Sequence, residues 1–120
     1  SIKYLDLGVD KARGNAMEWY VRFLRANCYA CLPENFDKWN TADDDYSYIF
    51  KYAEKHKEIE PYLVSAFYYQ GVLQSSRGDK TGSLALWKKS VNLNKKLKLD
   101  ISEAIQAEKK ISQESAHNEN

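Results

Sequence analysis

An all-α fold is predicted by three features of this 120-residue sequence. Apolar and aromatic side chains recur at intervals of three and four residues along most of the chain, as they do in helices that bury one face. Five glycines and two prolines are too few for a turn-rich β sandwich or a disordered chain. The one candidate strand, residues 4–9, is short and interrupted by Gly8.

Length and charge limit the kind of protein this is. The length suits one domain, expected over residues 1–116. Eighteen Lys and Arg residues against 17 Asp and Glu give a net charge of +1, which argues against a strongly basic nucleic-acid binder. No apolar run approaches the roughly 20 residues of a membrane span, so we expect no membrane insertion and a cytoplasmic protein. Because the first residue is Ser1, an upstream signal and a periplasmic location stay open.

The first two helices are predicted on either side of Arg13-Gly14-Asn15. A short helix covers residues 1–12. A second, rich in aromatic residues, covers 15–32 and ends before Pro33.

A loop over residues 33–40 leads to a third helix over 41–57. Thr41 is its expected cap, with Asp44 three residues on as in a capping box. The run Asp43 to Asp45 would then supply the acids of the first turn, where the helix dipole favours them.

The C-terminal half is predicted to form a fourth helix over 61–76 and a fifth over 82–97, separated by the turn residues Gly78-Asp79. A sixth helix covers 100–115, and residues 117–120 are expected to be a disordered tail.

Cys28 and Cys31 form the only C-x-x-C sequence and are the first candidates for chemistry. A redox pair needs its first thiolate at a helix N-terminus, whereas this pair lies at the end of its helix. We interpret both as inert, half-buried thiols, and His56 and His117 as solvent-facing. No second C-x-x-C and no His pair at ligand spacing is present, so no metal site is predicted. Without a phosphate-binding glycine loop or a nucleophile motif, we expect no enzyme and no cofactor.

A period of about 34 residues gives the strongest pattern. Six positions between Val64 and Leu97 carry this pattern. In order, they are the aromatic Phe67, the small Gly71, the turn glycine Gly78, the small Ser83, the aromatic Trp87 and the small Ser90. Small residues let two helices approach closely, and Trp87 fills the space between them.

This order resembles a tetratricopeptide repeat, with Ser83 and Ser90 in place of the usual alanines. The resemblance implies helix pairs stacked as a short right-handed superhelix: a half repeat at 1–13, a degenerate repeat at 15–58 and the best repeat at 61–97. Trp19 suits the front-helix aromatic position of the degenerate repeat, with Phe23 at the small position that follows. A second register, with Arg22 at the aromatic position and Ala26 at the small one, stays open. An unrelated helical bundle is the structural alternative.

The front helices of such proteins line a concave groove that binds a peptide or a partner helix. On the best repeat the corresponding positions are Ser65, Tyr68, Val72, Ser75 and Ser76. Tyr68 is the expected anchor, because an aromatic ring with a hydroxyl group offers contact area and a hydrogen bond. The resemblance implies a non-enzymatic scaffold, of a kind widespread in bacteria, with an apolar and aromatic groove for a protein or peptide partner.

Two other functions and a homodimer stay open. The segment 77–99 carries seven basic residues against Asp79, which permits a nucleic-acid-binding face, although no aromatic and arginine stacking platform accompanies its lysines. The basic residues are Arg77, Lys80, Lys88, Lys89, Lys95, Lys96 and Lys98. The many Tyr and Trp residues also permit a small molecule in an aromatic cavity between helices.

The sixth helix is predicted to be a C-terminal cap. Asp100 and Glu103 have capping-box spacing, and an Ile and Ala stripe runs along an otherwise charged helix. Such a helix covers the apolar face that the last repeat leaves open.

Overall fold

The computed structural model describes residues 1–118, with side chains described through Ala116. This part of the chain contains six α-helices, two 3₁₀ turns and no strand, which confirms the all-α prediction. The helices are α1 (Ile2–Ala12), α2 (Glu18–Ala30), α3 (Trp39–Lys55), α4 (Leu63–Ser76), α5 (Lys80–Lys96) and α6 (Ser102–Asn118). The 3₁₀ turns are Glu34–Phe36 and Lys57–Tyr62. None of the described helices is long and apolar enough to cross a lipid bilayer.

The helices fall into two units, Ser1–Lys57 and Glu58–Asn120. In the first unit α2 packs against both α1 and α3. Its core is formed by buried apolar side chains of all three helices: Val9, Ala12, Phe23, Ala26, Tyr29, Ala30, Ala42, Tyr46, Ile49 and Ala53. Helices α1 and α2 approach closely at Gly8, where an added Cβ would lie 3.2 Å from Cγ1 of Val21.

In the second unit α4 packs against α5, and α6 packs against both. The buried side chains are Ile59, Leu63, Val64, Ala66, Leu73, Trp87, Ala104 and Ala107. No Asp, Glu, Lys or Arg occurs within α4. A helix with this composition is one whose surroundings are mostly protein rather than water.

The predicted start of the third helix is wrong. Helix α3 begins at Trp39, with Lys38 as the N-cap residue, so Thr41 lies inside the first turn and does not cap it. The Trp39 indole donates a hydrogen bond to the Leu32 carbonyl at 2.9 Å, which ties the start of the helix to the end of α2. Consequently Asp45 lies a turn into the helix, and its side chain is buried.

Four other predicted starts also shift. Helix α2 begins at Glu18 rather than at residue 15, and α4 begins at Leu63 rather than at residue 61. Helix α5 begins two residues before Gly82, because the Asp79 carboxylate accepts a hydrogen bond from the Gly82 amide at 2.9 Å and caps the helix from there. Helix α6 begins at Ser102 rather than at Asp100, and the Glu103 carboxylate accepts hydrogen bonds from the hydroxyls of Ser65 and Ser102.

The predicted tail lies partly outside the described residues. His117 and Asn118 are the last residues of α6, and residues 119 and 120 are outside the part that the structure describes.

Candidate functional site

The five predicted groove residues lie along one side of α4, at the spacing that brings residues three and four apart together. Ser65, Tyr68 and Val72 are half-buried, whereas Ser75 and Ser76 are exposed. This side of α4 therefore presents one tyrosine, one valine and three serines.

Helix α6 borders the same side. The Ser65 hydroxyl donates a hydrogen bond to the Glu103 carboxylate at 2.8 Å. Tyr68 meets the neighbouring Tyr69 edge to face, with ring centroids 5.0 Å apart. Because α4 itself is uncharged, any charge at this face comes from its neighbours, as Glu103 illustrates.

Helix α4 is fitted to α5 through Gly71 and Trp87. A Cβ added at Gly71 would lie 2.4 Å from Nε1 and 2.6 Å from Cδ1 of Trp87, so the indole occupies the space that a side chain would need. The Trp87 indole is 3% exposed and donates a hydrogen bond to the Tyr68 carbonyl at 3.1 Å. The spacing of these two residues in the sequence thus brings them into direct contact.

The two small residues of the repeat pattern that lie on α5, Ser83 and Ser90, are both buried. Ser90 is fully buried, and its hydroxyl donates to the Val64 carbonyl of α4 at 2.7 Å. Ser83 is 2% exposed and donates to the Lys80 carbonyl of its own helix at 2.9 Å. Each of these serine hydroxyls donates to a backbone carbonyl, so both serines are buried without an unpaired polar group.

The turn between α4 and α5 depends on Gly78, whose φ of +85° is a left-handed conformation. The Gly78 amide donates to the Ser75 carbonyl at 3.0 Å, and the Asp79 amide donates to the Gln74 carbonyl at 2.9 Å. These two bonds are the Schellman arrangement that ends a helix.

Two aromatic residues assigned to repeat packing are half-buried, not part of the fully buried core. Phe67 on α4 lies 5.8 Å from the Lys89 ammonium of α5, measured from its ring centroid. Trp19 on α2 lies nearly parallel to Tyr52 on α3, with centroids 6.3 Å apart.

The two cysteines lie at the C-terminal end of α2, as predicted: Cys28 is in its last turn and Cys31 is its C-cap residue. Both are free, and both residues are exposed rather than half-buried. Cys31 is exposed as a residue, but the partial burial of its thiol, and then the charge of Cys28, raise its pKa. A raised pKa disfavours the thiolate that attacks disulfides or binds metals.

A buried ionic cluster joins α2 to α3, and sequence reasoning missed it. Asp45 of α3 is fully buried. Its carboxylate accepts hydrogen bonds from the Arg25 guanidinium, Nε to Oδ2 and Nη2 to Oδ1, both at 2.8 Å. Nη1 of Arg22 donates to Oδ1 of the same carboxylate at 2.9 Å. The hydrogen bonds that Arg25 donates to Asp45, acting against burial, raise the pKa of Arg25.

Helix α1 joins this cluster through Asp6. The Asp6 carboxylate accepts a hydrogen bond from the Tyr29 hydroxyl and lies 3.3 Å from Nη1 of Arg25. The Lys38 ammonium lies 3.6 Å from Oδ2 of the same Asp6 carboxylate. Burial acts to raise the pKa of Asp6, but the Tyr29 hydrogen bond and the charges of Lys38 and Arg25 outweigh it, so the pKa lies below its usual 3.8.

Glu18 closes the other end of the cluster. Its carboxylate accepts hydrogen bonds from the Gly14 amide at 2.7 Å and from Nε of Arg22 at 2.8 Å. Burial acts to raise the pKa of Glu18, whereas these two bonds lower it more, and the pKa lies below the usual 4.5. The sequence does contain a pattern that indicates this cluster, because Glu18, Arg22 and Arg25 have the spacing of residues on one helix face.

A row of rings runs along α3, which sequence reasoning also missed. Tyr48 and Tyr52 lie four residues apart on one face of α3, and His56, four residues further on, is the C-cap residue. The centroids of Tyr48 and Tyr52 are 6.1 Å apart with 13° between planes, and those of Tyr52 and His56 are 3.9 Å apart with 8° between planes. From α2, the Arg22 guanidinium lies 4.6 Å from the Tyr48 ring centroid.

The basic residues of 77–99 lie mostly on the surface of the second unit. The exposed lysines are Lys80, Lys88, Lys89, Lys95, Lys96 and Lys98, whereas Arg77 is half-buried.

Of the two histidines, His56 is half-buried in the ring row, and the side chain of His117 lies outside the described part of the structure. Among the described residues, no group of three or more His, Cys, Asp or Glu side chains is placed to hold a metal ion.

Three comparisons with known proteins found no match. No family model matches the sequence, and no curated protein or solved structure is significantly similar to it.

Proposed function

We propose that this chain is a non-enzymatic interaction module of the tetratricopeptide-like kind. Its partner would be an apolar peptide, or the apolar face of a helix, bound along the side of α4 that carries Ser65, Tyr68 and Val72. The six helices would then be read as a half repeat, two helix pairs and the capping helix α6, stacked in a right-handed superhelix.

The observation that carries the proposal is the uncharged surface that α4 presents beside its contact with α5. Gly71 and Trp87 make that contact. The uncharged surface carries a half-buried tyrosine and valine beside exposed serines. An apolar, hydroxyl-bearing surface of this kind favours an apolar partner, because α4 itself offers a charged one no opposite charge to offset its lost hydration.

The packing between α4 and α5 supports the comparison with a tetratricopeptide repeat. Gly71, Ser83 and Ser90 are the small positions of that pattern, and all three are buried. The glycine turn between the helices is short, as a helix-turn-helix repeat requires.

A peptide-display selection against the immobilised chain tests this function. We expect enrichment of peptides with apolar residues at helical spacing, and loss of that enrichment in Tyr68→Ala. Tyr4→Ala is the matched control, because Tyr4 lies on α1 and is 72% exposed. Circular dichroism of both variants checks that they are folded. Selection of peptides by an acidic terminus, or equal enrichment by Tyr68→Ala and the parent chain, would contradict the proposal.

A further inference from the structure

A cleft lies along the C-terminal half of α3 in the first unit, and the function proposed above makes no use of it. Its volume is about 370 Å³, and it is lined by Tyr48, Lys51, Tyr52, Glu54, Lys55 and His56. This volume is at the small end of the range found for clefts that bind small molecules.

The aromatic wall of this cleft is held in place by α2. The Tyr52 ring is nearly parallel to two other rings, with centroids 3.9 Å away at His56 and 6.3 Å away at Trp19. Tyr48 carries the Arg22 guanidinium over its ring, and Arg22 is itself fixed by its bonds to Glu18 and Asp45. A wall whose ring orientations are fixed in this way binds a flat ligand with little further loss of side-chain freedom.

The polar groups of the cleft give it a preferred charge. Lys51 and Lys55 are both exposed and lie one helical turn apart, so their ammonium groups flank the same side of α3. Glu54 is the one carboxylate in the lining. The balance favours a ligand with a negative charge near the two lysines.

We propose that this cleft binds a small planar aromatic ligand that carries an anionic group, the chemistry of a nucleoside monophosphate. The ring system packs against Tyr48, Tyr52 and His56, and the anion is held by Lys51 and Lys55. The small volume and the pair of lysines suit one such unit rather than a length of nucleic acid, which needs a groove that follows the backbone over several nucleotides. This site is separate from the α4 face and does not depend on its function.

Titration with adenosine 5′-monophosphate, followed by amide chemical shifts, tests the proposal. We expect saturable shifts confined to residues near 48–56 and to Trp19. The double variant Lys51→Ala/Lys55→Ala should weaken this binding about tenfold, since it removes both cations. Adenosine, which lacks the phosphate, should bind more weakly and be unaffected by the double variant.

Two controls separate the site from general effects. Lys95→Ala/Lys96→Ala removes two exposed lysines of α5 and should leave the affinity unchanged. Tyr52→Leu should weaken both adenosine and its monophosphate about tenfold, whereas Tyr4→Leu should weaken neither. Circular dichroism of Tyr52→Leu distinguishes a lost ring from a lost fold.

Three results would overturn the proposal. They are the absence of shifts at about millimolar ligand, an affinity that the Lys51→Ala/Lys55→Ala variant leaves unchanged, and shifts that map to α5 and α6. An affinity for single-stranded oligonucleotides that rises steeply with their length would also contradict the proposal, because it would indicate a nucleic-acid-binding surface rather than a small-ligand site.

Discussion

The Arg25 guanidinium and the Asp45 carboxylate face each other through two parallel hydrogen bonds of 2.8 Å. Arg25 is 7% exposed and Asp45 is fully buried, so neither charge is compensated by water. The pair therefore fixes the register of α2 against α3, because sliding either helix would leave a buried charge unpaired.

Replacing the buried acid should be costly. Asp45→Asn keeps the shape of the side chain but leaves Arg22 and Arg25 without their shared anion, so we expect a loss of about 3–5 kcal/mol in the free energy of unfolding. Urea denaturation followed by circular dichroism measures it.

The matched control is Asp44→Asn, at the preceding position of the same helix, where the side chain is exposed. We expect a change of less than about 0.5 kcal/mol there. Equal effects of the two substitutions would contradict the stabilising role of the cluster.

The close approach of α4 and α5 makes Gly71→Ala destabilising. Alanine normally favours a helix by about 1 kcal/mol over glycine, but its methyl group would overlap the Trp87 indole. We expect a net loss of about 1–3 kcal/mol and a change in tryptophan fluorescence as the indole moves. Ser76→Ala, at an exposed position of the same helix, is the control and should cost nothing. If Gly71→Ala were as stable as the parent chain, the contact would be softer than the structure indicates.

Stability should fall at acid pH, in part through Glu18. Because the pKa of this carboxyl lies below its usual 4.5 in the folded chain, its ionised form contributes stability at neutral pH. That contribution is complete above the unfolded pKa and disappears as the pH falls through the lower, folded value. The difference in unfolding free energy between the parent and Glu18→Gln should therefore shrink from about pH 7 to about pH 3. A difference that stays constant over this range would contradict the assignment.

One residue offers a gain in stability. Lys98 follows α5 with a φ of +54°, and the amides of Lys98 and Leu99 donate back to the carbonyls of Lys95 and Asn94 in a Schellman arrangement. Because a left-handed conformation is strained for lysine, Lys98→Gly should stabilise the chain by about 1 kcal/mol.

Lys96→Gly is the matched control. Lys96 is the last residue of α5, so glycine there should destabilise by up to about 1 kcal/mol. If both substitutions lowered the thermal midpoint, the left-handed conformation of Lys98 would not lower the stability of the folded chain, and the prediction would be wrong.

Deleting residues 100–120 should uncover the apolar sides of α4 and α5. Ala104 and Ala107 of α6 are almost fully buried in this unit, so their removal exposes the side chains they cover. We expect the truncated chain to self-associate, as measured by light scattering after size-exclusion chromatography. A truncated chain that stayed monomeric and equally stable would contradict the capping role of α6.

The sequence predicts the second unit better than the first, and the reason is physical. Gly71, Gly78 and Trp87 have roles fixed by size and backbone conformation, which residue type and spacing reveal. Contacts with a neighbouring helix do not follow from local spacing. The burial of Asp45 depends on two arginines of α2, so three consecutive acids looked like a solvated first turn.

The start of α3 was missed for a related reason. Trp39 begins that helix through a hydrogen bond to Leu32 rather than through a capping side chain. Thr41 had the residue type of a cap, but the contact that determines the boundary is tertiary. The α3 ring row was visible as a spacing of four residues, yet its stacking on Trp19 required the packing of α2.

The absence of charge on α4 also bears on how the chain is made. During synthesis, at about 5–20 residues per second, α4 emerges from the ribosome before the segments that carry Trp87 and Ala107 emerge to cover it. For a few seconds the nascent chain therefore presents a helix with no charged side chain to discourage association with other chains. We expect the chain to be more prone to association in this interval than in the finished fold.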